Sequence, residues 1–107
     1  MNVTGTTVCF GELLMRLEVP GHRRFLQARS LDIGYTGAEA NAAVSLAQFG
    51  VPTAIVSVVP DNEIGRACIN SFRGFGITTD HVLRGKARLG TFYLEQGVAQ
   101  RPSRVIY

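Results

Sequence analysis

Apolar and polar positions alternate with two different periods along this chain. Thr6–Phe10 is a short run of β-branched and apolar residues closed by Gly11. It reads as a buried strand, with Glu12 at its carboxyl end. Leu13–Val19 continues as a second extended piece bounded by Pro20 and Gly21, and His22–Arg29 is a polar, basic loop. Leu31, Ile33 and Tyr35 then alternate with Asp32 and Gly34, the period of a half-buried strand. Leu13–Val19 and Ser30–Tyr35 are therefore expected to pair as an antiparallel ribbon around that loop.

From Ala38 the period lengthens. Ala38–Phe49 is rich in helix formers, with Ala43, Leu46, Ala47 and Gly50 on one stripe. Gly50 stands where a helix-ending glycine belongs, and Pro52 follows. Thr53–Val59 is almost continuously apolar, as in a parallel strand covered on both faces, and Pro60 ends it. Asp61 or Asn62 caps a second helix whose core face is Ile64, Ala67, Cys68, Phe72 and Phe75, with Gly74 and Gly76 at its end. Ile77–Leu83 predicts a short strand. Thr91, Tyr93 and Glu95 alternate with Phe92, Leu94 and Gln96 in another, and Gln100–Ser103 turns the chain into a return strand, Arg104–Tyr107.

This order predicts an α/β fold. A β-α-β-α-β core implies a parallel sheet with right-handed crossovers. Two further hairpins, approximately residues 13–35 and 90–107, do not belong in that sheet. The chain has 107 residues, enough for one small domain, and 46% of them are hydrophobic, so it folds as a globule rather than staying disordered. No segment approaches the roughly 20 apolar residues of a membrane span, and the N-terminus carries no signal-peptide pattern. Cys9 and Cys68 lie far apart, and with His22 and His81 they form no metal-ligand spacing. They read as reduced thiols in a cytoplasmic protein.

The net charge of +3 is uneven: Arg84, Lys86, Arg88, Arg101 and Arg104 crowd the C-terminal quarter against Glu95. Such a patch serves a solvated surface, a small anion or nucleic acid. Nucleic acid is disfavoured, because no helix-turn-helix, zinc-finger or aromatic RNA-binding signature accompanies it. Between Gly34 and Asn41 a glycine-containing turn feeds a helix N-terminus. Read alone, it is either a structural turn or a site for a small polar ligand. Gly37 permits close backbone approach, the first helical amides lack intrahelical partners, and Glu39 and Asn41 add side-chain oxygens.

Several short motifs occur in a fixed order. They are Gly11-Glu12 after the first strand, Gly37–Asn41 running into an alanine-rich helix ending at Gly50, and Asn62–Gly65 after an apolar strand. Phe75–Ile77, Gly90–Tyr93 and a terminal Arg104–Tyr107 follow. In this combination the chain resembles the ribokinase-like (pfkB) family of sugar kinases, nearest to the 2-keto-3-deoxygluconate kinase branch. The resemblance spans nearly the whole chain and implies the N-terminal part of a ribokinase-like fold, with the two hairpins as a small lid sheet.

The resemblance implies an ATP-dependent phosphotransferase in which Gly37, Ala38, Glu39 and Asn41 hold sugar hydroxyls. Tyr93 and Tyr107 match substrate-contacting tyrosines of the branch, and Glu12 lies where ligands of open α/β sheets bind. Without the resemblance, both tyrosines read as packing on a sheet face. The family's catalytic Gly-Ala-Gly-Asp segment is not among these residues, and Gly85-Lys86-Ala87 is no phosphate-binding loop. ATP and Mg2+ are thus expected on the complete enzyme and not on this segment, which is expected to be inactive alone. Where the family favours a glycine pair, this chain has Thr36-Gly37, and Pro60 and Asn62 replace a favoured glycine and aspartate. The expected partners are a sugar or sugar acid and a second copy of the chain, joined through lid strands or open sheet edges, with neither nucleic acid nor membrane. A non-catalytic sugar- or nucleotide-binding module and a dimerisation or interaction domain are the alternatives.

Overall fold

A computed structural model describes residues 5–107. The chain divides into two compact units, one built from residues up to Leu13 together with Thr36–Leu89, the other from Leu14–Tyr35 together with Gly90–Tyr107.

The first unit holds a three-stranded sheet in the order β1-β4-β5, from β1 (Thr7–Phe10), β4 (Thr53–Pro60) and β5 (Val82–Gly85). Both pairings are parallel, with Cys9 opposite Ile55 and Val58 opposite Leu83. Helix α1 (Ala38–Gln48) packs on β1 and β4, and helix α2 (Glu63–Arg73) packs on β4. Ile55, Ser57 and Val59 share one face of β4, and all three are buried.

The opposite face departs from the sequence reading. Val8, Phe10, Val58 and Leu83 lie on it by register, and they are 58%, 76%, 56% and 63% exposed. The apolar pattern predicts a buried Thr6–Phe10 and a β4 covered on both faces. Instead β1 is an edge strand, and among the described residues the second face is covered only in part, with Ala54 buried and Val58 open. Apolar content alone cannot separate a strand buried on both sides from one buried on a single side.

The helix ends follow local chemistry. Gly50 takes φ +80, its N–H donates to Ala47 O at 3.0 Å, and Val51 N–H donates to Leu46 O at 3.0 Å. This is the paired closure in which a left-handed residue satisfies the last carbonyls of a helix. Asn62 caps α2, its Oδ1 accepting the Gly65 N–H at 3.1 Å, a contact of the kind that contributes about 1 kcal/mol. After α2, Gly74 stays right-handed and Gly76 takes φ +81, so Gly76 is the residue that reverses the chain. The buried stripe of α2 is Gly65, Cys68, Ile69 and Phe72, while Ile64 and Phe75 are largely exposed. In α1 only Ala40 and Ala43 are buried. Burial pushes the Cys68 thiol up to about 11, which makes it a neutral core side chain at physiological pH.

The second unit is a four-stranded sheet in the order β3-β2-β6-β7, from β2 (Leu14–Glu18), β3 (Asp32–Thr36), β6 (Gly90–Glu95) and β7 (Arg104–Ile106). β2 and β3 are neighbours, and β6 and β7 are antiparallel. The two hairpin segments form one sheet because β2 and β6 pair in parallel, with Arg16 opposite Phe92. The β6–β7 turn lies at Ala99–Gln100, closed by Val98 and Arg101, slightly before the Gln100–Ser103 expected from proline and serine. Likewise the Ile77–Leu83 strand is displaced: Thr78 makes a single bridge to Ala54, and the regular strand begins at Val82.

The basic loop between β2 and β3 is ordered around a short 3-10 helix, Phe25–Gln27. Buried Glu95 holds it, Oε1 accepting the Phe25 N–H at 2.7 Å. Arg101 donates to the carbonyls of His22 and Gln96. This member of the C-terminal basic group is thus engaged in tying the loop to the hairpin, and Arg84 faces Asp61 at 3.9 Å.

Candidate substrate site

In the first unit, the expected residues Glu12, Gly37, Ala38, Glu39 and Asn41 converge at the carboxyl end of β1. Gly37 is the N-cap of α1, and its φ of 162° is ordinary extended backbone. Its need for glycine is steric. A Cβ there would run into the Glu12 carbonyl oxygen, with the Ala40 Cβ 3.3 Å away. At Gly11 the neighbour is a side chain instead: the Glu39 carboxylate occupies the space a Cβ would take. Gly37 thus lets the start of α1 approach the backbone after β1, and Gly11 leaves room there for the Glu39 side chain. Gly11, which in the sequence stands only as part of a motif, is thereby placed beside Glu39.

Thr36, which stands where the family favours glycine, closes β3 without a left-handed conformation. Its Oγ1 donates to Asn41 Oδ1 at 2.8 Å. That bond orients the Asn41 amide and leaves its NH2 group as a donor. Asn41 N–H itself closes the first helical turn on Gly37 O at 2.8 Å. No side chain caps this helix, so its first amides and their partial positive charge are available to ligand oxygens. The arrangement offers backbone donors, one amide donor and the carboxylates of Glu39 and Glu12, a set suited to a polyhydroxylated ligand. Among the described residues there is no group of three or more His, Cys, Asp or Glu that could hold a metal ion.

In the second unit the two expected tyrosines separate. Tyr93 pairs with Ile106, so these side chains share a face of the sheet. Tyr107 follows Ile106 and turns to the other face, where its ring lies 5.8 Å from that of Phe92. Tyr93 lines a cleft of about 430 Å3 with Phe25, Ala28, Arg29, Ser30 and Leu31. The alternation Phe92-Tyr93-Leu94 carried the separation of the two tyrosines only once the register of β7 was known. Gly34, central in β3, is a further residue whose part was not read beforehand. A glycine inside a strand signals close approach of another group, and here that group is the Arg16 guanidinium.

These features were compared with known proteins. The model of the pfkB family of carbohydrate kinases matches residues 5–107. A 2-dehydro-3-deoxygalactonokinase from Haloferax volcanii is 39% identical over 105 residues, which cover 98% of this chain and 33% of that protein. The crystal structure of a 2-dehydro-3-deoxygluconokinase from Thermotoga maritima superposes with a TM-score of 0.93 at 45% identity, over 95% of this chain and 31% of its own. A PfkB family carbohydrate kinase from Listeria grayi gives a TM-score of 0.92 at 43% identity, over 96% and 32%. The chain thus spans about a third of the length of these relatives, and its mixed α/β architecture agrees with the N-terminal part of a ribokinase-like fold. With the family model covering nearly all of its residues, this chain belongs to the pfkB family of carbohydrate kinases.

Proposed function

We propose that this chain is the acceptor-binding part of an ATP-dependent kinase that phosphorylates a hydroxyl of a 2-keto-3-deoxy sugar acid. The observation that carries this reading is that Gly11, Glu12, Gly37, Glu39 and Asn41 lie together at one strand end in a chain of the carbohydrate-kinase family, which supports a role in holding acceptor hydroxyls. The substrate class follows the activities of the Haloferax and Thermotoga relatives. Phosphoryl transfer needs positioning and charge stabilisation more than covalent chemistry. In this reading the residues of the first unit orient the acceptor, and the four-stranded sheet acts as the lid that keeps water from competing for the phosphoryl group. The groups that bind ATP and Mg2+ and carry the catalytic base lie outside these residues.

The test is ADP release by the full-length protein with 2-keto-3-deoxygluconate and with neutral hexoses. Turnover with the sugar acid is expected. Turnover only with neutral hexoses overturns the substrate class, and turnover by the 107-residue chain alone overturns the assignment of the chemistry to other residues.

In the same reading the chain associates with a second copy of itself. β1 and β5 are open sheet edges, and Val8, Phe10, Val58 and Leu83 form an exposed apolar row. Unpaired edges next to apolar surface recruit further strands. Light scattering of the 107-residue chain is expected to give a mass above the monomer that rises with concentration. A constant monomer mass at high concentration removes this reading.

A further inference from the structure

We infer that the second unit carries a phosphate-binding cavity, in which Arg24, Arg101 and Arg104 hold the phosphate group of a small phosphomonoester or of inorganic phosphate. The inference goes beyond the acceptor reading and uses no residue of the first unit.

The cavity has a volume of about 300 Å3 and is lined by Arg24, Leu26, Glu95, Arg101, Pro102 and Arg104, all of them residues of the second unit. Its size lies at the lower end of small-ligand sites. Arg104 of β7 is opposite Glu95 of β6, so the two side chains project to one face. Arg101 closes the turn between these strands, bonded to Val98 in both directions at 3.0 and 3.1 Å. Gly97 N–H also donates to Ser103 Oγ across the same hairpin at 2.8 Å. Arg24 comes from the loop between β2 and β3. Its N–H donates to Gln27 Oε1 at 3.1 Å, and the buried Glu95 carboxylate accepts the next N–H, of Phe25, at 2.7 Å. The backbone carrying the three arginines is thus set before a ligand arrives, which lowers the entropy cost of binding.

Three cations face one carboxylate here, and that carboxylate already accepts the Phe25 N–H. Among the described residues no carboxylate forms an ion pair with Arg24, Arg101 or Arg104. The Arg101 guanidinium donates through Nη2 to the carbonyls of His22 and Gln96, while its Nε is buried without a partner. Like charges gathered in this way repel one another, and a bound anion reverses that cost. A phosphate group suits the set. A phosphomonoester carries close to two negative charges at neutral pH, which matches the excess of three guanidinium groups over one carboxylate. Its oxygens take the paired N–H groups that arginine presents. A single carboxylate would neutralise about half of the excess. Leu26, which is 99% exposed, and Pro102 supply apolar surface against which the carbon skeleton of an ester can lie. The bound group would also join Arg24 of the loop to Arg101 and Arg104 of the hairpin, cross-linking the two segments.

Titration calorimetry of the full-length protein at low salt, with inorganic phosphate and with glucose 6-phosphate, tests the site. Arg24→Gln and Arg104→Gln are each expected to weaken binding about tenfold, the loss of one charged contact, and Arg24→Lys and Arg104→Lys should restore part of it. Arg23→Gln, the same change of charge at an exposed neighbour that does not line the cavity, should leave the affinity unchanged. Hydrogen exchange locates the ligand. Amide exchange in the loop around Arg24 and in the hairpin around Arg101 should slow with ligand in the wild type and not in Arg104→Gln. This second readout keeps the test available if one variant folds poorly. Binding of both probes assigns the site to the phosphate group itself, and binding of one names the source, ester or free ion. The inference is overturned by a wild type that binds neither probe, by full affinity in both Arg24→Gln and Arg104→Gln, by an equal loss in Arg23→Gln, or by protection confined to other segments. These readouts are independent of turnover, so they stand whether or not the protein phosphorylates a sugar acid.

Discussion

Phe72→Ala is expected to cost the first unit about 3–5 kcal/mol of stability, the usual result of emptying a buried aromatic site. Phe72 is 2% exposed and is the largest fully buried side chain among the described residues. It sits on the buried stripe of α2 with Cys68 and Ile69, the face that holds this helix on β4. Domains of ordinary stability have about 5–15 kcal/mol in total, so the variant's unfolding midpoint should fall markedly. Urea denaturation followed by circular dichroism measures this. Phe10→Ala is the control: it removes the same ring from a position that is 76% exposed, and the unfolding midpoint should barely move. Equal effects at the two positions would show that α2 does not dock through Phe72.

Gly37→Ala is expected to lower kcat/KM of the full-length kinase about a hundredfold, the scale of a displacement of about 1 Å in a positioning element. The added methyl group meets the Glu12 carbonyl oxygen and the Ala40 Cβ. Neither belongs to a flexible side chain, so relief must come from moving the start of α1 away from the end of β1. Because Gly37 has an extended φ, alanine is conformationally allowed and the effect is steric. Gly50→Ala separates the two ideas. Gly50 needs its left-handed φ, and nothing crowds its Cβ position. That variant should lose about 1–2 kcal/mol of stability and keep its activity. Steady-state kinetics and thermal unfolding of both variants decide the matter, and an unchanged kcat/KM for Gly37→Ala would remove this turn from the substrate site.

The two glycines illustrate what a sequence encodes locally. Gly50 follows a helical run and precedes Pro52, so its role in ending α1 follows from neighbouring residues. Asn62 as the cap of α2 is the same kind of signal, satisfied within three residues by Gly65. The order of strands and helices, the parallel core and the turn into α1 were legible for that reason: each depends on periodicity, capping or turn chemistry over a few positions. The motifs of the sugar kinases were legible too, since they are short runs in a fixed order.

Other features depend on segments distant in the chain. Nothing near Gly11 announces that the Glu39 carboxylate will occupy the space beside it. The parallel pairing of β2 with β6 merges two hairpin segments into one sheet, and hairpin signals around each turn contain no trace of it. The same long-range register decides that Phe92, rather than Tyr93, shares a face with Tyr107 and Arg16. A shift of one residue exchanges the faces of a strand, so adjacent aromatic residues cannot be assigned to a ligand by composition. The open face of Val8, Phe10, Val58 and Leu83 is likewise a property of what does and does not pack on the sheet. The sequence by itself determined the elements, their order and the family, because these rest on local physical chemistry and local motifs. Only the tertiary structure decided which side chains meet, because strand register and close backbone approach are set by contacts between residues far apart in the chain.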